Sequence, residues 1–208
     1  SQSIRDFLLR ADPQYGHLRP EEWDKNPRYR FRVMGPEYMM EAAKRKAAEL
    51  GLPAKVLISS WSDVEARAAG DTAAYIAQEI EVNGSPFEPP CVLLSGGELV
   101  VAVGDENGFG GRNQEFALAA AARSAGSENV VIASADSDGG DGPTSAAGGI
   151  VDGQTMERAR TMGVDLFDVL RRHDTNTAME KLEDAIITGV QPTNVQDLRV
   201  IYIGGKKT

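Results

Sequence analysis

Two stretches of this 208-residue chain bring together side chains that could do chemistry. The first, GFGGRNQEFALAAA from Gly108, sets glycines at 108, 110 and 111 directly before Arg112, Asn113 and a run of alanines. Glycine costs backbone entropy and packs no side chain, so such a cluster marks unusual torsions or a backbone that something must approach closely. If a helix starts near Arg112, its free N–H groups and positive dipole end face the loop. Gly110 and Gly111 would let an anion reach them, and Arg112 would add a two-pronged cation. A plain glycine turn followed by a solvated arginine fits the pattern equally, and on either reading removing Arg112 should alter folding by about 1 kcal/mol or less. The second stretch, ADSDGGDGPTSAAGG, carries Asp136, Asp138 and Asp141 immediately after an apolar run. Carboxylates this close repel one another unless a cation or a set of donors compensates, which suggests Mg²⁺ or work on a hydroxyl proton. The alternative is a turn whose aspartates cap backbone N–H groups. It is not an EF-hand loop, since the sixth position from Asp136 is Asp141 and the twelfth is Ala147.

The elements that must position these loops follow from periodicity. YRFRVMG reads as a short strand and Pro36–Leu50 as a helix with Met40, Ala43, Ala47 and Leu50 on one stripe, ended by Gly51. AKVLISS at 54–60 reads as a strand, and 64–81 as a helix buried through Ala69, Ala73, Ile76 and Ile80. This β-α-β-α order predicts an α/β chain with a mainly parallel sheet and flanking helices in residues 1–85, a Rossmann-like segment. After the linker NGSPFEPP, the segment 90–208 is expected to form a mixed-sheet α/β domain. CVLLSGGELVVAVG would turn as a hairpin at Ser95-Gly96-Gly97, residues 112–124 would be helical, and NVVIASAD, AIITG and LRVIYIGG would be strands around one or two short helices.

Composition narrows the function. Hydrophobic residues make up 41% of the chain and charged ones 25%, enough for one substantial core or two modest lobes. A net charge of −9 argues against a nucleic-acid partner, which needs a basic face to displace counterions. No apolar run approaches the length of a membrane span and the N-terminus lacks a signal-peptide pattern, so a cytoplasmic protein without membrane association is expected. Cys91, the single cysteine, reads as a small buried residue. His17 and His173 are isolated in the sequence, which disfavours a histidine triad or zinc site. Ser95 lacks the G-x-S-x-G frame, and GGKKT lacks the residues of a phosphate-binding P-loop. Gly108-x-Gly110-x-x-Asn113 approximates a dinucleotide fingerprint, with Asp136 at the end of the next strand where a ribose-binding acid belongs. The third glycine is missing, so an NAD(P)-dependent reductase remains the alternative.

Taken in order, LLSGGELVVAV, GGRNQEFALA, SADSDGGDGPTSAAGGIVDG and ITGVQPTNVQDLRVIYI resemble the MOFRL domain. That domain forms the C-terminal part of the glycerate 2-kinase family, whose members are often labelled hydroxypyruvate reductase. The likeness runs from about Cys91 to Gly204, and residues 29–85 resemble the segment that precedes the domain. Nothing corresponds to the family's large N-terminal region, which contributes a lysine to the active site. The resemblance implies transfer of the ATP γ-phosphoryl group to the 2-hydroxyl of D-glycerate, with Mg²⁺, in a cleft between two domains. Arg112 and Asp138 would then be catalytic. Gly110, Gly111, Asn113, Glu98, Thr193 and Asn194 would bind substrate or phosphate, and Asp136 and Asp138 the metal. The N-terminal domain of the same enzyme is the implied partner, beside a second copy of the chain, and the isolated chain is expected to be inactive. Two departures stand out: GVQPTN lacks a glycine of the family's GPTGTN loop, and Gly140 replaces a branched apolar residue.

Overall fold

The computed structural model describes residues 2–10, 21, 29, 31, 33–106 and 108–205, and the chain divides into two compact units, Ser1–Val33 and Met34–Thr208. The first contains helix α1 (Gln2–Arg10), none of whose residues is buried. In the second, α2 (Pro36–Glu49) opens with proline in its first turn, where the missing N–H costs nothing. There follow β1 (Ala54–Trp61), α3 (Ala66–Asn83), β2 (Cys91–Gly97), α4 (Arg112–Ser124), β3 (Val130–Asp136), β4 (Gly148–Asp152), α5 (Thr155–Thr161), α6 (Leu166–Arg172), α7 (Thr175–Leu182), β5 (Ala185–Ile186) and β6 (Asp197–Ile203).

One six-stranded sheet, in the order β1-β2-β6-β3-β4-β5, runs through the second unit. The parallel character expected near the N-terminus is confined to the β1–β2 pair, and the other neighbours are antiparallel. The boundary expected at residues 85–90 lies inside this unit, on the segment leading into β2. Among the described residues of YRFRVMG no strand forms, and positions 30 and 32 lie outside them.

The expected hairpin at Ser95-Gly96-Gly97 is absent. The chain leaves β2 at Gly97 and residues 99–103 form no strand; Val100 makes an isolated bridge to Glu65, and Leu99 and Val101 pack into the core. Here the glycines serve close approach rather than a reversal. A side chain on Gly97 (φ +87°) would collide with the Trp61 backbone, and one on Gly96 with the Ser59 carbonyl.

Helix α4 lies at the centre of the core. Asn113 through Ala121 are all buried, and small residues line both helices where α3 and α4 meet, Gly70 resting on the Phe116 carbonyl. Close packing of the two backbones is what the alanine run provides. Against them lie Leu93, Ile132, Ile201 and Ile203 from one face of the sheet, each removal of which to alanine should cost about 2–5 kcal/mol. On the opposite face Met40 of α2 covers Val92 and Leu94.

Candidate active site

The sheet brings the C-terminal ends of β2 and β3 and the N-terminal end of β6 to one edge, with Ser95 opposite Arg199 and Asp136 opposite Asp197. Ligands of open α/β sheets gather at such strand ends. Arg112, the first residue of α4, points into this edge. Its Nε and one terminal nitrogen each donate to Asp197 at 2.8 Å, and the same terminal nitrogen reaches Asp136 Oδ2 at 2.6 Å and lies 3.7 Å from Glu98 Oε1. The hydrogen bonds it donates to Asp197 raise the affinity of the guanidinium for its proton. Asp197 is fully buried between two cations, because Arg199, also fully buried, donates to its Oδ2 at 2.7 Å. Arg199 also donates to the carbonyls of Gly96 and Gly97, so one side chain ties β6 to the turn that carries Glu98. Burial lowers its pKa. Arg112 is thus no solvated arginine, and the expectation that its loss leaves folding nearly untouched is corrected: its partner is a carboxylate sealed in the core.

The glycine loop also works differently from an open anion cradle. Asp141 occupies the start of α4, accepting from the backbone N–H groups of Asn113 and Gln114 and from both of their side-chain amides at 2.9–3.2 Å. Its carboxylate fills the place an external anion would take. A Cβ on Gly111 would strike that carboxylate, and one on Gly110 or Gly108 the segment Arg172–Thr175, while Asn176 N–H donates to the Phe109 carbonyl at 2.9 Å. The glycines admit the protein's own groups. Asn113 is fully buried, with its amide oxygen accepting from Ser134 Oγ. The dinucleotide fingerprint fails with it, since no strand leads into the glycine loop and Asp136 is held by Arg112.

Asp136 and Asp138 behave differently from Asp141. Asp136 accepts the Asp138 N–H at 3.1 Å, and burial, reinforced by the Asp197 and Asp138 charges, pushes its pKa up to about 7 despite Arg112. Asp138 accepts from Gly140 N–H at 2.9 Å and from Asn194 Nδ2 at 3.3 Å. Thr193 Oγ1 donates to the Ser137 carbonyl at 2.9 Å, and Gln191 N–H to the Asp138 carbonyl at 2.7 Å, so the loop before β6 is stitched onto the acidic loop. A shallow pocket between them is lined by Asp138, Gly140, Thr193 and Asn194. The structure therefore joins Arg112, Glu98, Asp136, Asp138, Thr193 and Asn194 at one edge, while Gly110 and Gly111 line a cavity beside Arg112 and Asn113 is packed in the interior. Among the described residues no three His, Cys, Asp or Glu side chains are placed to hold a metal ion by themselves. Asp138, partly exposed and weakly held, fits Mg²⁺ better than Asp136, which already serves Arg112; such ions commonly take one or two carboxylates and complete their shell with phosphates and water.

Asp197 and Arg199 were missed by motif reading. The available signal was a charged pair two residues apart in a strand whose other inward positions are Ile201 and Ile203, which puts both charges on the buried face. His173, isolated in sequence, also gains a partner: its Nδ1 lies 2.9 Å from Glu115 Oε2, and Arg67 donates to Glu115 Oε1 at 3.2 Å.

Comparison with known proteins agrees with this architecture. Residues 91–197 match the MOFRL family. The chain is 46% identical over 95% of its length to a D-glycerate 2-kinase of Thermotoga maritima, and 38% identical over 86% to a glycerate 2-kinase of Pyrococcus horikoshii, but spans only 45% and 40% of those proteins. A crystal structure of a glycerate kinase from Thermotoga maritima superposes with a TM-score of 0.79 and 43% identity, covering 81% of this chain and 40% of that one. A solved Pyrococcus horikoshii protein gives a TM-score of 0.81 and 39% identity, covering 86% of this chain and 40% of its own. The family match over half of the chain leads to one assignment: the chain belongs to the MOFRL family.

Proposed function

We propose that this chain forms the C-terminal wall of a glycerate 2-kinase, which transfers the γ-phosphoryl group of ATP to the 2-hydroxyl of D-glycerate. The observation that carries the reading is the reach of Arg112 from the start of α4 to Asp136 at 2.6 Å, which joins the glycine loop to the acidic loop. Phosphoryl transfer asks a protein mainly for positioning and charge neutralisation. Arg112 supplies a fixed cation and Asp138 a carboxylate open to a metal ion. Thr193 and Asn194, beside Asp138, present small polar groups suited to a hydroxy acid. Mg²⁺, when bound at Asp138, would neutralise phosphate charge. Asp136, held by Arg112 and the Asp138 N–H, positions both. Relatives of more than twice this length suggest that a second wall is needed, so the isolated chain should show negligible activity.

The test joins this chain to the N-terminal half of the Thermotoga maritima relative and measures ATP-dependent phosphorylation of D-glycerate, with and without Mg²⁺. Activity that depends on ATP and Mg²⁺, lost on Asp138→Asn, is expected. A folded but inactive chimera, or one that instead reduces hydroxypyruvate with NADH, would refute the reading.

A further inference from the structure

Beside Arg112, between the glycine loop and Gly142-Pro143 of the acidic loop, lies a cavity of about 290 Å³. Leu99, Val101 and Val103, the run expected to form the second arm of a hairpin, make an apolar wall, and the backbone of the glycine loop makes another. Arg112, Glu115 and His173 are its titratable groups. Glu115 is almost fully buried one turn along α4 from Arg112, and both its oxygens are engaged, by Arg67 and by His173 Nδ1. That contact fixes the imidazole ring, and among the described residues nothing bonds Nε2. His173 caps the end of α6 in a left-handed backbone (φ +56°), a conformation histidine adopts more readily than most residues. An oriented ring with one unbonded nitrogen in a mostly apolar wall is the kind of placed polar group that fixes a ligand's orientation.

We infer that this cavity holds the nucleoside of the phosphoryl donor, an inference that rests on the kinase reading above. The volume lies at the lower end of the roughly 300–1,000 Å³ of small-molecule sites, suited to a base and ribose rather than a whole triphosphate. An apolar wall with one oriented hydrogen-bonding ring matches a flat heteroaromatic base. Glycerate, small and polar throughout, would gain nothing from Leu99, Val101 and Val103. Arg112 belongs both to this cavity and to the acidic edge, so a nucleoside seated here sends its phosphates past the guanidinium toward Asp138.

The experiment titrates the chain with N-methylanthraniloyl-ATP and Mg²⁺, read by fluorescence, and competes the probe with unlabelled ATP·Mg²⁺, adenosine and NADH. Val101→Trp, which fills the cavity, should weaken binding at least tenfold. His173→Asn, whose shorter side chain tolerates the left-handed backbone, should weaken it about fivefold through loss of one hydrogen bond. Met162→Ala, at an exposed position after α5 and outside both pockets, should leave the affinity within twofold. Circular dichroism checks each variant, and His173→Asn decides the question if Val101→Trp does not fold. If the wild type binds the probe and neither cavity variant weakens it, the nucleoside sits elsewhere and the kinase reading stands. If NADH displaces the probe and ATP·Mg²⁺ does not, the assignment to a phosphoryl donor falls, and the kinase reading with it. If the wild type binds none of these ligands, the cavity proposal is overturned, while activity of the joined chimera still decides the kinase reading separately.

Discussion

Asp197→Ala should be among the most damaging single changes in this chain. Asp197 is a fully buried carboxylate shared by Arg112 and Arg199. Arg112 is 24% exposed in its side chain and keeps Asp136, so it can rehydrate when Asp197 goes. Arg199 cannot: it is fully buried, its Nε already lacks a partner, and its remaining hydrogen bonds go to two neutral carbonyls, beside the Phe116 ring. The loss therefore falls on one uncompensated buried cation, for which about 3–5 kcal/mol is the usual cost. At roughly 2–4 °C per kcal/mol for a chain of this size, the melting midpoint should fall by about 6–20 °C. Differential scanning calorimetry on wild type and variant measures it. The companion variant combines Asp197→Leu with Arg199→Met, which removes both buried charges, and should recover at least half of the lost midpoint because an apolar pair of similar volume replaces an ion pair at little cost. A midpoint for Asp197→Ala within 3 °C of wild type, or a double variant as unstable as the single one, would refute the claim that charge balance holds this edge.

Asp141→Ala should destabilise by about 3 kcal/mol or more, since it strips the carboxylate from four buried donors at the start of α4; urea denaturation midpoints report it. Gly108→Ala should cost a few kcal/mol because its methyl would meet the Arg172 carbonyl, whereas Gly140→Ala, with nothing nearer than Asp138 Oδ1 at 3.7 Å, should melt within about 2 °C of wild type. The raised pKa of Asp136, about 7, means that the folded state holds a proton the unfolded chain has already released above the ordinary carboxylate range. Stability should therefore fall as pH rises from about 4 to 7, and Asp136→Asn should flatten the pH 5–7 part of that profile in a urea series, while an unchanged slope would sink the assignment.

The helices and inner strands were legible because their burial follows the chain's own period. Residues 112–124 announce a helix and 130–136 a strand through local spacing alone, and the structure places both there. What escaped was decided by partners distant in sequence. Gly96 and Gly97 resemble turn residues, and only the approach of β1, with the Ser59 carbonyl and the Trp61 backbone against them, shows why they lack side chains. The acidic loop reads as three equivalent aspartates, yet Asp141 faces the α4 terminus and is buried as a cap, while Asp138 stays accessible. His173 finds Glu115 across 58 positions of sequence, a pairing no spacing rule reaches.

The place of β6 in the sheet bears on how the protein is made. This last strand lies between β2 and β3, so the segments around residues 91–97 and 130–136 have no direct pairing with each other until residues 197–203 arrive. A ribosome must therefore release nearly the whole second unit before its sheet can close, leaving the edges of β2 and β3 open during synthesis. Pairings of such long sequence separation are slow to form, and unpaired strand edges are where nascent chains associate wrongly. Asp197 reaches Arg112 only when β6 arrives, so the candidate site is completed with that strand.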